Sequence, residues 1–133
     1  MLDAVVDTSA LIALFTGNEQ DRALVNRMLA TTAAAPELLD AEVLSVLRRM
    51  VRHGDLTRNQ ARVTLTTIQA SPITRIPHAN LVDRAWQLQD SITAYDALYV
   101  ALAELLDVPL ITCDAKLAGS NGHQAKVELY SAS

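Results

Sequence analysis

Four acidic residues stand where a carboxylate has chemical use. Asp7 directly follows the apolar pair Val5-Val6, and Asp114 directly follows Leu110-Ile111-Thr112-Cys113. Each has an ordinary structural reading as a helix N-cap, common for Asp after a strand. Asp96, three residues after Thr93, reads equally as the acid of a cap or as a charge favourable to the helix dipole. Its neighbours Ala94, Tyr95, Ala97, Leu98, Tyr99, Val100, Ala101 and Leu102 make that helix apolar nearly all round. Such a helix is buried, and a buried charge needs a partner. Glu42 meets the same problem, because its helical neighbours are Leu38, Leu39, Ser45 and Val46. It belongs in or beside the apolar stripe, away from the solvated face expected for Arg48, Arg49 and Arg52, where an unpaired carboxylate is costly or shifts its pKa.

A cation is a natural partner for these groups. Carboxylates without a His/Cys cluster suit a hard ion such as Mg²⁺ or Mn²⁺. His53, His78 and His123 are scattered without ligand spacing, which argues against zinc. Carboxylates around one ion, or two ions ~4 Å apart, are suited to phosphodiester hydrolysis. Ser9 and Cys113 have no identifiable base, and no glycine-rich phosphate loop is present.

The elements needed to position these acids are short apolar runs alternating with helical patterns. Residues 2–6 predict a strand, closed by Asp7-Thr8-Ser9 as the cap of a helix through Phe15. Gly17-Asn18 ends that helix, and a second is expected from about Gln20 to Leu29. A short strand over 32–35 precedes Pro36. A long amphipathic helix covers 38–53, with Gly54 at the C′ position. Thr57-Arg58-Asn59-Gln60 has the form of a capping box opening the next helix. A strand over 73–76, helices over 80–89 and 93–106, a strand over 109–112, a turn of helix over 114–117 and a strand over 127–130 complete the pattern. Strands separated by helices imply right-handed crossovers and a largely parallel sheet covered on both faces. Chemistry in such folds gathers beyond the carboxyl ends of the strands.

The chain has 133 residues, half of them apolar, with eight Pro and Gly together. That fits one α/β domain, residues 1–133, and excludes a disordered chain. One cysteine permits no internal disulfide and points to a reducing, cytoplasmic compartment. Asp3 stands where the basic end of a secretory leader would lie, and the early apolar run Ala10 to Phe15 is far shorter than the ~20 residues that span a bilayer. The formal charge of −4 is unusual for a nucleic-acid partner. Setting the four acids aside leaves 11 acidic residues against 11 Lys and Arg, so with the cluster neutralised the rest is balanced.

The strings Val5-Val6-Asp7-Thr8-Ser9-Ala10-Leu11-Ile12-Ala13 and Pro36-Glu37-Leu38, with Glu42-Val43-Leu44, resemble the opening half of a PIN domain. Thr93-Ala94-Tyr95-Asp96-Ala97-Leu98-Tyr99-Val100-Ala101-Leu102-Ala103 and Leu110-Ile111-Thr112-Cys113-Asp114 resemble the closing half. The likeness is strongest to VapC-type toxins of bacterial toxin–antitoxin pairs and runs from Met1 to about Tyr130. It implies a three-layer fold, with a parallel sheet of four or five strands and helices on both faces. It also implies a Mg²⁺- or Mn²⁺-dependent endoribonuclease, with Asp7, Glu42, Asp96 and Asp114 as catalytic metal ligands, direct or through water. Thr8, Ser9 and Thr112 fall where members carry supporting hydroxyls. Some members carry a further acid after the fourth. Here Ala115-Lys116-Leu117 takes its place, which weighs against a second metal site. A homodimer and a cognate antitoxin that blocks the active-site groove are further implications.

Arg48, Arg49, Arg52 and Lys116 are candidate RNA contacts, although cations near a helix C-terminus also complement its dipole. Trp86 reads as core or interface, and Asp3, Asp40, Asp83, Asp90, Glu104 and Asp107 as solvated charges or local caps. A receiver domain would need an acidic pair after the first strand, and an aspartyl phosphatase an acid where Ser9 stands. A PIN-like module that binds RNA or protein without cutting, and a housekeeping RNA-processing nuclease, remain as alternatives.

Overall fold

A computed structural model describes residues 1–17 and 21–131. Among them the order is β1 (Ala4–Val6), α1 (Thr8–Thr16), α2 (Arg22–Leu29), β2 (Ala33–Pro36), α3 (Leu38–Arg52), α4 (Arg58–Ala70), β3 (Thr74–Ile76), a 3₁₀ turn (Ala79–Leu81), α5 (Val82–Gln87), α6 (Ala94–Leu106), β4 (Leu110–Thr112), α7 (Ala115–Ala118) and β5 (Val127–Leu129). The expected stop at Asn18 and start at Gln20 lie outside the described residues. The second helix is instead capped by Asp21, whose carboxylate accepts from Ala23 N–H.

Local signals place most boundaries. Asp7 caps α1, Thr93 caps α6 and Asp114 caps α7. Thr57 and Gln60 form both bonds of a capping box on α4. At the end of α3, Gly54 N–H bonds to Val51 C=O and Asp55 N–H to Met50 C=O. That paired closure puts Gly54 at φ +78°, a left-handed conformation that glycine adopts without a Cβ clash. The helix expected over 80–89 begins one residue earlier as a 3₁₀ turn and ends at Gln87.

The five strands form one parallel sheet in the order β3-β2-β1-β4-β5. Every residue of β1, β2 and β4 is buried, whereas the edge strands β3 and β5 are partly exposed. Such fully apolar strands require cover on both faces. From β1 the chain steps one way to β2 and β3, then returns across the sheet to β4 and β5. Right-handed crossovers therefore put α1 to α4 on one face and α5 to α7 on the other. The contacts agree, since α1 packs on α2, α3 and α4 while α5 packs on α6. The reversal falls between β1 and β4, and a crevice opens where neighbouring connections leave in opposite directions.

The helix α6 is the central brace of its face. Residues 97–103 are all buried, and the helix touches β1, β2 and β4. Trp86 is 70% exposed, so it is not a core residue; the short α5 turns that face to solvent. No helix among the described residues is long and apolar enough to cross a membrane. Leu102 is fully buried and Leu105 is 67% exposed on the same helix. Leu102→Ala is expected to cost about 2–5 kcal/mol in urea unfolding, and Leu105→Ala less than about 0.5 kcal/mol.

Candidate active site

The first acid sits at the switch point. β1 and β4 pair in parallel with Val5 opposite Leu110 and Val6 opposite Ile111, so their next residues leave the same sheet edge side by side. Asp7 is 5% exposed and Thr112 fully buried. The Asp7 carboxylate accepts from Ser9 Oγ (2.7 Å) and Ala10 N–H (3.0 Å) through Oδ1, and from Thr112 Oγ1 (2.5 Å) through Oδ2. Ser9 Oγ also accepts from Cys113 N–H, and Thr112 Oγ1 from Asp114 N–H, both at 2.9 Å. These bonds tie the start of α1 to the end of β4 and fix where Asp114 leaves the sheet. Asp114 in turn accepts from Lys116 N–H at 2.9 Å.

Glu42 arrives from the second turn of α3, half-buried. Thr8 Oγ1 donates to its Oε1 at 3.2 Å and lies 3.0 Å from the Tyr99 hydroxyl. Asp96 comes from the first turn of α6, also half-buried. The four acids therefore line one cavity of about 360 Å³, together with Thr8, Ser9, Arg49 and Tyr99. The chain thus brings residues 7, 42, 96 and 114 together from four different elements.

None of the four acids has an ion-pair partner among the described residues. Burial pushes Asp7 up to about 6, the bonds from Thr112, Ser9 and Ala10 only partly offset it, and the Asp96 charge adds to the rise. Glu42 is raised chiefly by burial, against hydrogen bonds from Tyr99 and Thr8, with Asp96 again repelling. Asp96 is raised by burial, with a contribution from the Asp114 charge. The acids therefore repel one another in a partly desolvated crevice.

The donor set fits a hard cation. A carboxylate offers about four lone-pair sites; Asp7 uses three, and Asp114 Oδ2 accepts nothing among the described residues. No three Asp, Glu, His or Cys among the described residues already stand in an ion-holding arrangement.

Tyr99 is the side chain that sequence reasoning passed over. It is 1% exposed, one turn from Asp96, and its hydroxyl is directed at Thr8 and Glu42. A phenol on the acid-bearing face of a buried helix was the available signal. Arg49 was placed on the solvated face, but it lies seven residues, two turns, past Glu42 and lines the acid cavity. Arg48 and Arg52 face elsewhere, and Lys116 does not line the cavity. Asp40 and Glu104 pair with Arg75 and Arg84, which removes both from the site. Asp3 accepts from Thr32 N–H and Asp107 ends α6.

Comparison with known proteins decides the family. The PIN-domain family matches residues 4–119. The chain belongs to the PIN-domain family. Within it the chain is of the VapC type. It is 39% identical over 131 residues to Ribonuclease VapC1 of Mycobacterium tuberculosis, covering 97% of this chain and 98% of the relative. It is 38% identical over 125 residues to Ribonuclease VapC12 of the same organism, covering 94% and 97%. Among solved structures, a chain of a toxin–antitoxin complex from Klebsiella pneumoniae superposes with a TM-score of 0.66 at 22% identity, covering 97% of this chain and 99% of that one. The PIN fold thus accounts for the sheet order and for the crevice at its reversal.

The raised Asp7 gives a pH prediction for the metal-free protein. The folded state holds this proton more tightly than the unfolded chain, so the contribution of Asp7 to stability is fully present below pH 3.8 and is lost as pH rises towards about 6. The penalty at neutral pH is on the order of 2–3 kcal/mol. In EDTA, Asp7→Asn is expected to raise the urea midpoint at neutral pH and to flatten its fall across that window. Identical pH profiles for the two proteins would contradict this.

Proposed function

We propose that this chain is the toxin of a toxin–antitoxin pair, an endoribonuclease that hydrolyses RNA phosphodiesters with Mg²⁺ or Mn²⁺ held by Asp7, Glu42, Asp96 and Asp114. The observation that carries the reading is a crevice lined by four carboxylates, none of which forms an ion pair among the described residues. The ribonuclease relatives and the PIN fold support it.

When bound, a divalent cation acts as a Lewis acid towards phosphate and acidifies water near neutral pH. The chain's own residues supply the rest. Ser9 and Thr112 hold the Asp7 carboxylate in one orientation, and Thr8 with Tyr99 does the same for Glu42. With Asp7 at about 6, its carboxylate is mostly ionised at neutral pH and increasingly protonated below about pH 6. Arg49 lines the same cavity, where its charge would offset that of a bound phosphate. A toxin–antitoxin complex among the structural neighbours supports an antitoxin partner; in this reading the antitoxin blocks the acid crevice and the chain acts as a homodimer.

Purified protein incubated with total bacterial RNA is expected to give discrete cuts in Mg²⁺ or Mn²⁺. Those cuts should vanish in EDTA and in Asp96→Asn. Equal background from wild type and Asp96→Asn would refute the site. Metal binding without any cut would favour the module that binds without cleaving. Tyr99→Phe, acting through Glu42, is expected to lower kcat about tenfold or more with KM little changed; a change confined to KM would remove Tyr99 from this role.

A further inference from the structure

The cations of this acidic chain are unevenly placed. Arg27, Arg75 and Arg84 are tied to Glu128, Asp40 and Glu104. Arg48, Arg49, Arg52, Arg58 and Arg62 have no ion pair or hydrogen bond among the described residues, and all are exposed. All five lie on the α3–α4 hairpin, where Asp55 is the one acid between positions 48 and 62.

Four of them line a single groove. Arg48 and Arg52, one turn apart on α3, face Arg58 and Arg62, one turn apart on α4, across a floor that includes Leu47 and Val51. The groove measures about 360 Å³ and is open to solvent. Arginine stems pack on such a floor while their guanidiniums stay in water. Helix electrostatics explain only half of this. Arg52 near the end of α3 complements the dipole, but Arg58 is the first residue of α4, where a cation is unfavourable. Charge held against local preference, unpaired and in two facing rows, points to a polyanion. A second copy of the same face would set arginine against arginine. The floor carries no aromatic ring on which bases could stack. Contact would therefore be to phosphate, and blind to sequence.

We propose that the arginine-lined groove between α3 and α4 binds the RNA backbone flanking the cut, supplying sequence-independent affinity while selectivity resides at the acid crevice. This rests on the nuclease reading above. Arg49 joins the two regions, since it lines the crevice while its neighbour Arg48 lines the groove. RNA in the groove thus reaches the acids by crossing α3. A net-acidic nuclease thereby holds RNA despite its overall charge.

The test compares wild type, Arg48→Gln/Arg52→Gln, Arg58→Gln/Arg62→Gln and, as a control outside the groove, Arg22→Gln. Binding of fluorescein-labelled oligouridylate and oligoadenylate is followed by anisotropy in EDTA over a salt series. Cleavage of total RNA is followed in Mn²⁺. Each double variant is expected to weaken binding of both probes roughly tenfold, and to flatten the plot of log affinity against log salt by about 0.7 per arginine removed. KM should rise, kcat and cut positions should stay, and double Lys replacements should restore the salt slope. Wild-type affinity and slope in both double variants, while wild type still cuts RNA, would overturn the proposal and leave the nuclease intact; the arginine rows would then point to an acidic protein segment. If wild type neither binds nor cuts RNA, both readings fall.

Discussion

The Asp7 carboxylate, held at the point where two parallel strands end side by side, is the contact on which the rest of the site depends. β1 and β4 are neighbours only because the chain reverses its direction across the sheet after β3. Their register sets Val6 beside Ile111, and Ser9 and Thr112 then close on Asp7 from the two sides of the switch point. The same hydroxyls accept from the backbone of Cys113 and Asp114. One small network thus caps α1, anchors the exit of β4 and aims two of the four acids. A shift of one residue in that pairing would turn every side chain of the strand to the other face and dissolve the crevice.

The other two acids come from helices that pack on opposite faces of the sheet, α3 and α6. Each is anchored by apolar burial and not by a charge partner. Leu39, Val43 and Leu47 seat α3, and residues 97–103 seat α6. Burial of those helices brings Glu42 and Asp96 into a partly desolvated space beside Asp7, so the cost of gathering like charges is met by the core. Such a site is poised to gain from a cation, which replaces mutual repulsion with attraction. On the α3–α4 hairpin the chain concentrates the opposite charge. A net of −4 hides this separation.

Much of this was legible in the sequence because it rests on short-range chemistry. Thr57 and Gln60 announce the start of α4, Gly54 the end of α3, and the apolar run through Leu102 a buried helix. Asp7 and Asp114 could be placed at one edge because alternating strands and helices imply parallel pairing. What escaped depends on rotation and solvent cover. Arg49 follows Arg48 in sequence, yet 100° of helical turn sends the two to different grooves. Trp86 sits on a helix of a single long turn and a half, too short for its periodicity to say which way it faces. Tyr99 was hidden among apolar neighbours, where its hydroxyl looked incidental until Thr8 and Glu42 were found beside it. The strands begin at Ala4 and Leu110, two and one residues later than the apolar runs predict.

The central claim is that the crevice of Asp7, Glu42, Asp96 and Asp114 is completed by a divalent cation. Calorimetric titration with Mn²⁺ in two buffers of different ionisation enthalpy, at about pH 6 and about pH 8, tests it most directly, because metal ligands must shed their protons to bind. Saturable binding that releases protons at the lower pH, releases fewer at the higher, and weakens strongly in Asp96→Asn is the predicted result. Absence of saturable binding, or binding indifferent to both pH and Asp96, would contradict the account.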